Sequence, residues 1–566
     1  FEEMAAQGFG DRQNSYIWSL AWWKGRLYVG TGRSTQCVMH ATGHLYYPFL
    51  LSYPPLDPDI ACTPDSADLP LQAEIWRWTP QTGAWERVYQ SPNDVPIPGA
   101  PGHFVARDIG FRSMLVFQEP DGTEALYVGG VSSNTYNAGV PGARILRSTD
   151  GVHFAPLPQA PGTFLGERQA TSFRSLTAHR GRLFVIATLG YAGFGPVLLA
   201  DDPARGNNNF RFALPEDITA FELQTHNGCL YIGAGTNPFA DLGREPEPFS
   251  VLRTEAQGQP PYTPITVVAQ GGFRQSRPSY SVVSMHVFKG DLYVGTDQPA
   301  ELIRIHPDDS WDLIVGTPRW TPAGFKRPLS GMDVGFDNPL NIHMWRMATY
   351  RGRLYVGTMD QSTKWRYMPF IGRWIKPLMG FDLYSSADGE RFNLITRDGF
   401  GDPFDVGVRN LEATPHGLAL GTANQYYGAR LYRHSGQPHL AEVPQSEAPF
   451  RTYLAFVANS VVNPARFADP EALEVAAAGE AAALAWVGSP GAARYRVFRA
   501  DFISNQQLRI PDVETTAWIP GQFQEVGLVS APAFVDPTVR PGAVYHYYVQ
   551  AETAAGYAKE MSAEYQ

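Results

Sequence analysis

One phrase recurs seven times along the chain, and it limits the fold more than any other feature. It is an apolar strand, a Gly-containing turn, then a second strand closing on Gly-Thr or a variant. The copies are YIWSLAWWKGRLYVGT (16–31), MLVFQEPDGTEALYVGG (114–130), SLTAHRGRLFVIAT (175–188), ELQTHNGCLYIGAG (222–235), VSMHVFKGDLYVGT (283–296), WRMATYRGRLYVGT (345–358) and LEATPHGLALGT (411–422). The closing glycine or its equivalent falls at Gly30, Gly129, Ile186, Gly233, Gly295, Gly357 and Gly421. A further strand pair follows, as in EIWRWTPQTGAWERVYQ (74–90) and FDLYSSADGERFNLIT (381–396). Four short strands repeated seven times predict an all-β chain with a seven-bladed β-propeller over residues 1–445. The opening FEEMAAQGFGD matches FNLITRDGFGD at the end of the sixth repeat, so residues near 1–8 are expected to complete the seventh blade.

Composition agrees with many short strands: 44% of residues are hydrophobic and 18% charged, with 55 Gly and 47 Pro. The net charge of −10 and the lack of a basic run exclude the electrostatic footprint of nucleic-acid binding. No stretch approaches the length of an apolar transmembrane helix. Of the three cysteines, Cys37 and Cys62 bracket a Pro-rich stretch of one loop, and Cys229 sits in an expected buried strand. A Cys37–Cys62 bridge would constrain a segment with little core of its own and would place the protein outside the cytoplasm, secreted or at the cell surface. The other reading is two reduced thiols.

After about residue 445 the phrase stops. ALAWVGSPGAARYRVFRA (484–500), with Trp486, and PGAVYHYYVQA, with Tyr545, resemble a fibronectin type III module. The resemblance implies a β-sandwich over 446–566, of a kind used as a spacer or docking unit. The turns STDG (148–151) and SADG (386–389) resemble the Asp-box hairpins of sialidase-type propellers and read as structural turns.

In a propeller, loops entering the inner strands and leaving the second strands share the face around the channel mouth. Those positions supply Asp360 as a general base or orienting acid, Arg33 and Arg409 as electrostatic stabilisers, and His343 as a proton shuttle. They also supply ligand-binding candidates Arg12, Tyr16, Trp18, Arg112, Arg174, Glu222, Tyr280, Asp297 and Asn341, together with Asn14, Asn237 and Asn424. Opposed arginine and acidic groups at one mouth would bind an anion or shift a carboxylate pKa; alternatively they pair with one another and hold the blades in register. Two insertions lie on this face, 32–73 and 362–378, the latter with Trp365, Tyr367, Phe370 and Trp374. They read as a lid or ligand surface, as a peripheral contact with lipid headgroups, or as packing on the rim.

Metal motifs are weak. His40 and His44 lie four apart in a segment without a helical pattern, no zinc phrase occurs, and the acidic run DPDIACTPDSAD (57–68) offers oxygen ligands for calcium. No phosphate loop, dinucleotide fingerprint or nucleophile elbow stands in a fitting context.

LYVGTMD followed by DGFGDPFDVGVRNLE is similar to the propeller of cylindrocyclophane-type alkylating enzymes, which join an alkyl chloride to an aromatic carbon. The resemblance implies Asp360 as the acid that orients or deprotonates a phenol and Arg33 as its arginine. Val406 stands where the tyrosine is expected, and the calcium repeats that precede such propellers are missing. Two classes of function follow. One is an enzyme acting on a small, partly apolar or aromatic substrate at the mouth; the other is a binding or adhesion protein for a glycan, lipid or protein.

Overall fold

The structure is a computed structural model. It describes residues 1–46, 52–137, 139–190, 193–206, 209–235, 247–274, 279–367, 372–436, 471–478, 481–488, 492–504, 518–520, 524–540, 545–552 and 558–565. The chain divides into two compact units, Phe1–Ala448 and Pro449–Gln566. The boundary expected near 445, like Asn237 and Phe370, lies outside the described residues.

The first unit is built from antiparallel sheets in which four strands pair in order. The first comprises Asn14–Trp23, Arg26–Arg33, Glu74–Thr79 and Ala84–Gln90. Among the described residues, seven such sheets follow one another, with inner strands at Asn14–Trp23, Gly110–Gln118, Ser172–His179, Thr219–His226, Val282–Phe288, Asn341–Tyr350 and Gly407–Thr414. In the last sheet the outermost strand is Glu2–Glu3, which pairs with Leu431–His434 (Glu2 opposite Arg433). Single bridges join neighbouring sheets, Gly32 to Gly110 and Met359 to Gly407, and the bridge Tyr16 to Ala423 joins the last sheet to the first. The sheets therefore close a ring whose two chain ends meet in one sheet.

The repeated glycine has a packing reason. A Cβ on Gly30 would lie 2.8 Å from the Phe111 Cβ, one on Gly357 2.3 Å from the Val408 Cβ, and one on Gly421 2.3 Å from the Ile17 Cγ2. The inner strand of the next sheet thus presses on the bare backbone, closer than any side chain permits. Opposite each glycine the inner strand bulges by one residue, as between Ile17 and Ser19, Phe111 and Ser113, and Val408 and Asn410. The residue after the bulge then reaches across to the next sheet. The Ser19 Oγ donates to Phe111 O at 2.8 Å, the Ser113 Oγ to Phe173 O at 3.2 Å, the Ser284 Oγ to Met344 O at 2.6 Å, and the Asn410 Nδ2 to Trp18 O at 2.6 Å. These side chains satisfy the carbonyls that a bulge frees from its ladder.

The third sheet departs from this pattern. Ile186 fills the glycine position, and the register shift moves past Arg174, with Ser175 in the left-handed region at φ 53°.

Between sheets the chain turns through Gly-Phe pairs, with both residues left-handed at Gly8-Phe9, Gly335-Phe336 and Gly399-Phe400. A buried amide holds two of these turns: the Asn14 Nδ2 donates to Gly8 O and to Glu74, and the Asn341 Nδ2 to Gly335 O and to Asp382.

The segment around His40 and His44, expected to be non-helical, is an α-helix, Thr35–Tyr46. Cys37 and Ala41 on one side of it pack against Leu69, Leu71 and Ile109, and a Cys37–Cys62 disulfide ties it down with the Cα atoms 5.6 Å apart. Burial of this face, rather than a full amphipathic stripe, makes the helix.

The second unit holds a three-stranded sheet, Glu471–Ala478, Ala481–Val487 and Ala533–Asp536. A second sheet centres on Arg494–Ser504, which pairs with Tyr545–Glu552 and Gln524–Val529. Trp486, Tyr495, Val497, Tyr547 and Val549 form its core, and the Tyr545 hydroxyl accepts from the Arg540 backbone N–H at 3.0 Å.

Candidate functional site at the centre of the ring

The position before each inter-sheet stitch is the unpaired residue of the bulge in six of the seven sheets. In sheet order it carries Trp18, Arg112, Arg174, Phe221, Val283, Trp345 and Arg409. In six of the seven sheets this residue stands 12 positions before the glycine or its equivalent; a longer hairpin separates Arg112 from Gly129. The next position adds Glu222 and Arg346.

Three of the guanidiniums here lie over aromatic rings. The Arg174 guanidinium lies 3.2 Å from the Phe221 ring centroid, that of Arg409 5.1 Å from Trp345, and that of Arg112 5.8 Å from Trp18. A guanidinium whose face rests on a ring keeps its N–H donors in its own plane, the geometry that matches carboxylate, sulfate or phosphate oxygens. Arg112 and Arg174 meet over Gly193: a Cβ there would lie 3.0 Å from the Arg174 Nη1 and 3.1 Å from the Arg112 Nη2. The Arg174 Nη1 donates to Gly193 O at 3.2 Å. Tyr16 stacks on Trp18 at 5.4 Å and meets Trp345 edge-on, and His343 tilts against Trp345 at 5.6 Å.

Negative charge is scarce. Glu222 lies 3.5 Å from the Arg346 Nη1 and accepts from the Ser175 Oγ at 2.9 Å. Arg174 and Arg409 are only 4% and 3% exposed, and the Nε of each has no hydrogen-bond partner. Burial, and then the neighbouring guanidiniums, push the pKa of both well below the ordinary arginine value. Burial likewise holds His343 down to about 3, helped by Arg409, Lys364 and Arg174, so its ring is neutral at physiological pH and its buried Nδ1 lacks a partner. Burial raises the Tyr16 phenol, whose oxygen accepts from the Gln425 amide.

Of the residues singled out in the sequence, Tyr16, Trp18, Arg112, Arg174, Glu222, His343 and Arg409 thus come together. The rest serve other contacts. Arg33 pairs with Asp11 at 2.8 Å and donates to Asn14 Oδ1 and Pro70 O. Asp360 accepts from the Ser362 N–H and hydroxyl; its other oxygen is buried without a partner, and burial raises its pKa well above the carboxylate range. Among the described residues no hydrogen bond or ion pair links Arg33 or Asp360 to Arg409 or His343. Val406 is buried beside Tyr16, Ala423 and Tyr426. Asn341 is engaged with Gly335, Asp382 and Thr358, and Asn424 with Asp405. Asp297, bridged through its backbone to His343, accepts from the Ser281 N–H and Ser279 Oγ, and burial raises it to about 6. Trp365 ends a short turn, Ser362–Trp365, and the Tyr280 carbonyl packs on Gly235.

The two insertions clasp each other. Asp59 of the first accepts from the Arg366 Nη2 (2.8 Å), Tyr367 OH (2.6 Å) and Tyr427 OH (2.5 Å), which hold its pKa down at about 2 despite partial burial. Arg366 also pairs with Asp57 and stacks on Tyr367 and Tyr426, while Arg12 donates to Asp59 O and Tyr426 O. These contacts occupy Asp57 and Asp59, two of the oxygen donors considered for calcium. From the first insertion the Gln36 amide donates to Gln425, which in turn donates to the Tyr16 hydroxyl, so the clasped segment touches the wall of the site.

Sequence reading missed Phe221, Trp345 and Arg346. The constant spacing back from the repeat glycine was the signal that would have found the first two.

No protein-family model and no curated protein matches the sequence. Among solved structures, the chain is similar to a glycoside hydrolase family 43 arabinoxylan arabinofuranohydrolase from Bacillus subtilis, at 10% identity over 99% of this chain and 98% of that one, with a TM-score of 0.29. It is similar to an exo-beta-1,3-galactanase from Phanerochaete chrysosporium at 8% identity, over 63% and 79% of the two chains, TM-score 0.27. The fn3 domain of human collagen alpha-1(XX) chain is 23% identical over 19% of this chain and 91% of that one, TM-score 0.13. Likeness at this level leaves function to the residues themselves.

Proposed function

We propose that this chain is an exported seven-bladed β-propeller, followed by a fibronectin type III-like module, whose ring centre binds a small organic anion bearing an aromatic or sugar ring. The observation that carries the reading is the set of guanidiniums stacked on Trp18, Phe221 and Trp345, with two deeply buried members lacking partners for their Nε atoms. A bound anion would offset the cost of burying those charges, and the rings would take the apolar part of the ligand. The Cys37–Cys62 bridge supports export. The two-sheet second unit, with buried Trp486 and the Tyr545 hydroxyl bonded to backbone, supports the module.

Catalysis at the same place is a second reading, favoured by one observation: the buried Nδ1 of His343 lacks a partner beside the cations, and the neutral ring there is suited to orienting a ligand by a hydrogen bond rather than to removing a proton, because burial and the cations make it a weak base. An alkylating site of the cylindrocyclophane type draws less support, since Arg33 and Asp360 are engaged apart from each other. Adhesion to a glycan remains compatible with an anionic sugar as ligand; contact of 362–378 with lipid headgroups has no observation behind it.

Calorimetric titration with isophthalate at low ionic strength tests the anion site. Binding is expected, weakened about tenfold or more in Arg409→Met and in Arg174→Met, each of which removes a charge-assisted contact. Isophthalate that does not bind, or binds both variants as tightly as the parent, would contradict it.

A further inference from the structure

A cleft of about 380 Å³ lies between the end of the first insertion and the hairpin that follows the first sheet, with Asp68, Leu69, Gln72, Asn93, His103 and Phe104 in its lining. One wall is the short turn Ser66–Asp68 and the residues after it; the other is the ribbon in which Val95–Pro96 pairs with Phe104–Val105. Leu69 and Leu71 from the first wall and Ile97 and Val105 from the second share one buried cluster, and the Cys37–Cys62 disulfide holds the chain just before the turn. Both walls are therefore fixed before a ligand arrives, which lowers the ordering cost of binding.

The polar lining accepts more than it donates. His103 Nδ1 lies 2.9 Å from Asp68 Oδ1, and an imidazole nitrogen facing a carboxylate carries the proton, so in the neutral ring Nε2 is an acceptor. The Gln72 Nε2 donates to Ser91 O at 3.3 Å, which leaves its Oε1 to accept. Among the described residues no arginine or lysine pairs with Asp68. The two arginines that adjoin the walls are engaged: Arg107 with Asp94 at 2.5 and 2.8 Å, and Arg33 with Asp11 while it donates to Pro70 O. Beside this carboxylate Phe104 is 47% exposed. A carboxylate without a matching cation next to an open ring face suits a cation that has an apolar body.

We infer that this cleft binds a small organic ammonium ion, whose N–H donors meet Asp68 and the Gln72 side-chain carbonyl and whose apolar body lies against Phe104 and Leu69. The inference goes beyond the ring-centre reading and does not rest on it. The arginines of the ring centre repel a cation, so the sign of the ligand's charge tells the two sites apart.

Benzylamine and benzyl alcohol, which share a ring and differ in charge at neutral pH, are titrated into the full chain at low ionic strength. The imidazole resonance of His103, assigned by its loss in His103→Gln, is followed in protein carrying isotope-labelled histidine. Benzylamine is expected to bind about tenfold or more tighter than benzyl alcohol and to move that resonance. Asp68→Asn is expected to bring the ratio of the two affinities toward one, and Phe104→Ala to weaken both ligands. Equal affinity for the two in the parent chain, no binding of either, or binding that leaves the His103 resonance in place or survives Asp68→Asn unchanged would overturn the inference. Each of those results leaves the anion reading of the ring centre standing.

Discussion

Arg409 and His343 show how single side chains in this ring differ from their counterparts elsewhere in the chain. Most buried charges are met: Arg319 pairs with Glu301 at 2.7 Å, and Asp108 with Arg144. At the ring centre the Nε atoms of Arg174 and Arg409 lack partners, and groups whose pKa is strongly displaced by burial and neighbouring charges cluster at functional sites. His343 makes this measurable through pH. Its pKa is depressed from 6.5 to about 3 in the folded chain, so between these values the unfolded state binds more protons. Its contribution to stability is therefore fully present above about pH 6.5 and is lost as pH falls toward 3. In urea unfolding, stability is expected to fall more steeply from about pH 7 to about pH 4.5 in the parent chain than in His343→Gln. Identical slopes would show that the imidazole is solvated and does not face the cations. At this scale the sequence was half informative. Arg112, Arg174, Glu222 and Arg409 could be placed because the recurring phrase marks where each inner strand begins. Arg33 and Asp360 sit at matching strand ends, where sequence does not tell a rim contact from a ligand contact.

Among the elements, the third inner strand is the exception that serves the site. In the other sheets a glycine accepts the neighbouring strand; here Ile186 denies it that space, and the irregularity moves to Ser175, which points its hydroxyl at Glu222. Arg174 then extends over Phe221 to Gly193. Ile186 is a positioning residue on this account, and two substitutions separate that role from simple packing. Ile186→Ala and Ile186→Gly both empty a fully buried site and should each destabilise by about 3 kcal/mol or more. Only glycine removes the Cβ that keeps the regular bulge out, so Ile186→Gly is expected to weaken isophthalate binding about tenfold while Ile186→Ala retains it. Equal affinity in the two variants would assign Ile186 to packing alone. The repeat glycines were legible because close approach leaves no alternative residue. The helix Thr35–Tyr46 was not, because contacts with residues such as Leu69 and Ile109, distant in sequence, create the face it buries.

For the molecule as a whole, closure follows from pairing of the first residues with Leu431–His434 and from the Tyr16 to Ala423 bridge. The match between the opening phrase and the end of the sixth repeat had foreshadowed that pairing. What no local phrase could show is that four strands from different sheets bring Arg112, Arg174, Arg346 and Arg409 within electrostatic reach of one another, since convergence is a property of the closed ring. The central claim is that this axis receives an organic acid, and anomalous diffraction from crystals soaked in 5-bromoisophthalate tests it most directly. The account predicts a bromine peak beside Trp18 with a carboxylate in hydrogen-bond contact with Arg112, Arg174 or Arg409. Bromine only on the outer surface, or a ring centre in which Arg174 and Arg409 turn to pair with protein carboxylates, would contradict it.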